Sequence, residues 1–296
     1  MGINFCFEKN GLNLLNTVNK KCNMISKHLF SLVVAGVLLI STACVNENKQ
    51  KLSEQDLMEQ EDSVKLVKTF YKLPSPIELF VFLFENEARF DKKLLNPTEN
   101  ASKYLTTKAK ALNFGIYAAD MGYCVVFEQY QETFGYFSLT KKLAEDLELN
   151  QGFGEEMAKR VQSNLTNIDS LTELTTNSYW EACNFLEKQD KLDLLAVVLT
   201  GSWIESLYIA VNTPKKFNPE DPIVIRVSEQ GILLDNLVEF INLKCPDMHT
   251  DLVEKLSGLR DLFDMISMND DDTIITEQQF KEIKAMVNSI RKEFVL

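Results

Sequence analysis

Two carboxylic acids stand where a carboxylate is costly. Asp120 interrupts Ala109–Phe127 (AKALNFGIYAADMGYCVVF), and Glu205 interrupts Leu192–Val211 (LDLLAVVLTGSWIESLYIAV). A charge among apolar neighbours is strongly unfavourable unless it is paired, hydrogen-bonded or protonated. At helical spacing Asn113, Tyr117, Asp120 and Cys124 share one stripe, and Ser202, Glu205 and Ser206 another. If the two helices face each other, the acids form a polar pocket. Two carboxyl groups with separated pKa values can do acid/base work on a sugar or peptide, or hold a cation. Asp120 and Glu205 are then the catalytic candidates, and Asn113, Tyr117, Asp120, Trp203 and Glu205 the candidate ligand contacts. The commoner fate of such acids is structural: each accepts hydrogen bonds from Tyr or Ser, or pairs with an arginine such as Arg89 or Arg226.

Other chemistries lack their parts. His249 is the one histidine beyond the N-terminal leader, so neither a two-imidazole zinc site nor a Glu-x-x-His di-iron pair can form. No P-loop, dinucleotide glycine fingerprint or Gly-x-Ser-x-Gly occurs. Ser138-Leu-Thr-Lys141 matches a Ser-x-x-Lys pattern, but so does Ser289-Ile-Arg-Lys292, and no Lys-Thr-Gly accompanies them. Met268–Ile275 (MNDDDTII) fails as a calcium loop counted from Asp270, with isoleucine at the glycine position and Lys281 at the glutamate position. No metal and no cofactor are expected.

The acids need rods to carry them. Ala109–Phe127 is apolar or small on every side, so it must be covered all round. As a helix it spans about 28 Å. Phe134–Leu149 returns from it after a polar turn, making an antiparallel αα-hairpin. Ser75-Pro76 opens Ile77–Phe90, whose Phe80, Phe82 and Phe84, with Phe90 beyond, form either core or a hydrophobic groove. Thr106 or Thr107 caps the central rod. Glu155–Leu165, Asp169–Lys188, Ile223–Lys244, Thr250–Met265 and Glu277–Phe294 read as further helices. Ile223–Val227 is β-branched, but nothing nearby alternates to pair with it. The fold class is therefore all-α, a bundle or stacked helical hairpins with about ten helices and no substantial sheet. Two helical halves, divided near 150–168 or 213–222, are a further option.

The N-terminus reads as an export signal. Lys27-His28 precede the apolar run Leu29–Ile40, then Ser41-Thr42-Ala43-Cys44. The run is short for a transmembrane helix and right for a signal peptide. Residues 1–43 are removed on this reading, with Met24 the expected true start and 1–23 lying upstream of it. Val45–Ser63 is a polar tether, and 64–296 the folded domain. The full chain carries a net charge of −12. Removing four basic residues and one acid with the leader takes this to −15. Such a balance repels phosphate backbones, which excludes nucleic acid as a partner. Cys124, Cys183 and Cys245 remain in apolar helical stretches, where a disulfide is open but not indicated by spacing.

Thr42-Ala43-Cys44 resembles the lipobox of bacterial lipoproteins, although Ser41 replaces the usual leucine. That resemblance implies cleavage before Cys44, lipid on Cys44, and anchorage in the cell envelope, by Val45 at the outer membrane. Tyr136-Phe137 and KKLAEDLEL are similar to the second helix of a tetratricopeptide-type repeat, over about one 34-residue unit. The expected function is a non-enzymatic binding or assembly scaffold of the envelope. The alternatives are a carrier of a peptide or sugar ligand and an acid/base hydrolase. Expected partners are the membrane, through Cys44, and envelope proteins.

Overall fold

In the computed structural model, residues 76–149, 159–160, 163–164, 167–245, 250–267 and 275–296 are described. The signal segment, Cys44, the tether, His249 and the acidic loop Asn269–Asp272 lie outside them, as does most of the helix expected at Glu155–Leu165. Nine α-helices and no strand occur among the described residues. They are α1 (Pro76–Glu85), α2 (Thr107–Val126), α3 (Tyr130–Asp146), α4 (Ile168–Lys188) and α5 (Leu192–Asn212), followed by α6 (Pro222–Ser228), α7 (Gly231–Lys244), α8 (Thr250–Ser267) and α9 (Glu277–Val295). Two 3-10 turns, Lys92–Leu94 and Thr98–Lys103, sit in the loop between α1 and α2.

The two apolar rods are the centre. Every residue of α2 from Ala111 to Val126 is buried, and so is every residue of α5 from Leu195 to Leu207. They lie against each other along most of their length. Around the pair, α1, α3 and α4 pack on α2, while α1, α4, α6, α7 and α9 pack on α5. α5 is long and apolar enough to cross a bilayer, and most of it is buried between these helices. One hydrophobic core runs from Ile77 to Val295.

Glycine sets how closely the rods approach. A Cβ on Gly115 would lie 2.2 Å from the Val198 carbonyl oxygen, and one on Gly201 would lie 2.1 Å from that of Leu112. The two backbones therefore touch where helices ordinarily keep about 8–10 Å between axes, with side chains filling the gap. Bulkier residues at these sites would push the acids on the two rods apart.

Side-chain caps open α2, α4, α6 and α9, whereas α3, α5 and α7 start without one. Thr106 accepts from the Ala109 N–H at the start of α2, and Asp221 accepts from the Ile223 N–H at the start of α6, with Pro222 behind it. α9 opens with a full capping box between Thr276 and Gln279. Three boundaries differ from the sequence reading. α3 starts at Tyr130, inside the expected polar turn, and not at Phe134. α1 stops at Glu85 and not Phe90, because Glu87 takes a φ of 60° and closes the helix. The single helix expected at Ile223–Lys244 is two, with Glu229 and Gln230 turning the chain between α6 and α7. There Gly231 passes close to Phe263 of α8, 3.0 Å from where a Cβ would be.

Four helices end in the same way. Glu87, Glu128, Glu148 and Asp190 have φ of 60°, 59°, 61° and 55°. Each N–H bonds back three residues and the next N–H bonds back five, as in Leu149 N–H to the Ala144 carbonyl at 2.8 Å. This is the Schellman closure, in which glycine usually takes the left-handed position. An acidic residue there carries both the steric cost of its Cβ and an unfavourable charge at the negative end of the helix dipole. Glu148→Gly should therefore raise the unfolding free energy by about 1 kcal/mol, measured by urea denaturation. An equal or lower midpoint with an unchanged slope would contradict this.

Candidate functional site

The stripe on α2 faces inward to the loop before it. Tyr117 donates to the Pro97 carbonyl at 2.9 Å, and Asn113 donates to the Phe294 carbonyl of α9 at 2.9 Å. Tyr123 bridges two loop positions, accepting from the Asp91 N–H at 3.1 Å and donating to the Arg89 carbonyl at 3.3 Å. Asp120, fully buried, accepts from the Asn96 N–H at 3.1 Å.

Asn96 is the hub of that loop, and it too is fully buried. Its amide donates to Tyr104 at 3.0 Å and to Asn113 at 3.2 Å, and its side-chain oxygen accepts from Asn100 at 2.8 Å. Its backbone carbonyl accepts from Tyr136 of α3 at 2.9 Å. Tyr104 in turn reaches the Val295 carbonyl at 3.2 Å. A loop buried this deeply must find partners for its backbone groups, and the polar stripe of α2 supplies several of them.

Glu205 of α5 is also fully buried, and its partner is Arg291 of α9. The guanidinium holds both carboxylate oxygens, Nε to Oε2 and Nη2 to Oε1, each at 2.9 Å. Such a planar two-point grip is the strong form of the arginine–carboxylate pair. Arg291 also donates to the Leu94 carbonyl at 3.3 Å and lies over the Tyr208 ring, 4.6 Å from its centre. The arginines expected as partners do other things. Arg226 pairs with Glu229 and covers the Phe82 ring, while Arg89 makes no ion pair among the described residues.

Glu205 lies near enough to Asp120 for its charge to bear on the Asp120 carboxyl group. Oδ1 of Asp120 is buried and receives no donor, while both oxygens of Glu205 are already held by Arg291. Two carboxylates near each other in a dry core repel, and a proton on one removes that repulsion. Burial raises the Asp120 pKa well above the ordinary carboxyl value, and the Glu205 charge raises it further, against the pull of Arg291 and the Asn96 N–H. Burial and the Glu205 charge thus hold Asp120 toward its neutral form. Burial likewise holds the Tyr117 and Tyr136 phenols protonated as donors.

The site is a closed lock on five segments: both rods, the α1–α2 loop, α3 through Tyr136, and α9. Of the candidate contacts, Asn113, Tyr117, Asp120 and Glu205 belong to it. Trp203 is buried on α5 with its indole N–H unpartnered. The sequence reading missed Asn96, Tyr104, Tyr136 and Arg291. Arg291 had a signal: Phe280, Ile283, Val287, Ile290 and Phe294 make the apolar face of α9, and Arg291 sits on it, four after Val287.

The phenylalanine run divides between core and surface. Phe80 is fully buried, Phe90 stacks on Tyr123 at 5.1 Å, and Phe84 is half exposed, edge-on to Phe127 at 5.5 Å. Cys124, Cys183 and Cys245 are buried free thiols, and burial pushes all three upward in pKa, which keeps them in the unreactive form. No cluster of metal-ligating side chains occurs among the described residues. A scan against protein-family models finds no match, and searches of curated proteins and of solved structures find none either.

Proposed function

We propose that this chain is a lipid-anchored, non-enzymatic binding or assembly scaffold of the bacterial cell envelope. The observation that supports it best is the burial of the acid pair. General acid/base work on a sugar or peptide needs carboxyl groups that meet substrate and water. Asp120 and Glu205 have no exposed surface, and Asn96 and Arg291 occupy the positions that a ligand would take. Polar groups spent on holding a loop and a C-terminal helix to two rods suit a rigid body that presents its surface to others.

The anchor rests on Lys27 to Cys44, with the sulfur and new amino group of Cys44 as the lipid attachment points. Two or more acyl chains hold a protein at a bilayer far more firmly than one. Cells fed a labelled fatty acid should give a labelled band for the wild-type protein and none for Cys44→Ala. Label persisting in the variant would end the anchor reading. An acid/base role would instead be favoured by Asp120→Asn or Glu205→Gln variants that keep full thermal stability and lose ligand turnover.

A further inference from the structure

A groove of about 660 Å³ opens between the loop after α1 and the loop after α5. Its volume falls in the range of small-ligand pockets, roughly 300–1,000 Å³. Arg89 and Lys215 line it, from the α1–α2 loop and the α5–α6 loop, and Glu87, Asp91 and Asp221 line it with the opposite sign. Neither cation pairs with any of these acids or with another acid among the described residues. Glu87 makes no ion pair among the described residues either, and Asp91 and Asp221 each use one oxygen to cap a helical turn, to the Lys93 and Ile223 N–H groups.

Both walls are held in place before any ligand arrives. The Tyr123 phenol fixes the backbone at Arg89 and Asp91, and Phe90 between them stacks on the same ring. The Leu94 carbonyl in the wall is gripped by Arg291, and Asn212 in the opposite wall bonds to Asn288 of α9 at 2.8 Å. Backbone pinned by the core, with charged side chains of both signs that make no ion pair among the described residues beside an apolar Phe90, is the arrangement of a prepared polar site.

We propose that this groove binds a small zwitterion of the amino-acid type, with Arg89 and Lys215 holding its carboxylate and Glu87 its ammonium group. A ligand with one charge alone would leave the lining groups of the other sign unanswered. The same chemistry is offered by a free amino acid and by the two ends of a short peptide. This inference goes beyond the scaffold reading, and its failure would leave that reading standing, since the acid lock and the leader carry it.

Calorimetric titration of the full chain with L-leucine and with L-alanyl-L-leucine tests it. Binding of either supports the site, and the tighter of the two identifies the source. The N-acetylated and C-amidated forms of the dipeptide should each bind about tenfold or more weakly, the loss expected for one charged contact. Arg89→Gln should weaken the free dipeptide and leave the amide unchanged. Glu87→Gly removes the carboxylate at a left-handed position that glycine favours, so it should weaken binding in a chain that still folds. No heat from either zwitterion at millimolar concentration, equal binding of the blocked forms, or full affinity in both variants would overturn the proposal.

Discussion

Alanine at Gly201 lowers the stability of the folded chain by about 3 kcal/mol or more, read as a drop in the urea midpoint with little change in slope. The added methyl would sit 2.1 Å from the Leu112 carbonyl oxygen, and both atoms belong to helix backbones. No rotamer change can relieve that contact, so α5 must back away from α2 along the whole seam. The helix propensity gained by replacing glycine, about 1 kcal/mol, offsets only part of the loss. Gly115→Ala should behave alike, with its clash at the Val198 carbonyl. Gly135 on α3 provides the control: it is exposed and has nothing within 4 Å of its would-be Cβ. Gly135→Ala should stabilise by about 1 kcal/mol. If alanine at Gly201 and Gly135 shifts stability in the same direction, close contact of the rods is refuted.

Truncating Glu205 to alanine costs about 3–5 kcal/mol, the loss seen when one partner of a buried ion pair is removed. The variant leaves Arg291 charged in a site where its side chain is 11% exposed. For a domain of this size that is a fall in melting temperature of roughly 6–20 °C. Most of the loss is the isolation of the guanidinium, so adding Arg291→Met to a Glu205→Leu chain should restore much of it. A melting temperature within about 1 °C of wild type in the Glu205→Ala chain would mean that the pair is not buried as described.

How much of this was legible depends on range in the sequence. The rods announced themselves, because a helix apolar on every side has no place but a core, and Asp120 and Glu205 stood out against that background. The stripe Asn113–Tyr117–Asp120 was legible as a polar face for the same reason. What it faces was not, since Asn96 lies in a loop that reads only as a chain break, and its five bonds come from tertiary placement. Arg291 lies 86 positions from Glu205, and an apolar face holding one arginine says that a partner exists without saying which. Gly115 and Gly201 read as small residues in long apolar runs, and pattern alone does not tell a close backbone approach from a tolerated gap. The early end of α1 was hidden because glutamate, not glycine, takes the left-handed position that closes it.

The proton on Asp120 separates a sealed lock from an open acid pair, and the pH dependence of folding measures it. In the unfolded chain this carboxyl titrates near 3.8, and in the folded chain well above that. Between the two, the folded state keeps a proton that the unfolded state has lost. Stability from this group is therefore complete below the unfolded value and falls as pH rises toward the folded one, by about 1.4 kcal/mol per pH unit. Asp120→Asn keeps a neutral side chain of the same shape and removes the titration. Urea unfolding of wild type and Asp120→Asn from about pH 5 upward should give a wild-type curve that falls more steeply than the variant's until the pH reaches the raised folded value. Parallel curves would mean that Asp120 is ionised in the folded chain, and the lock would not exist.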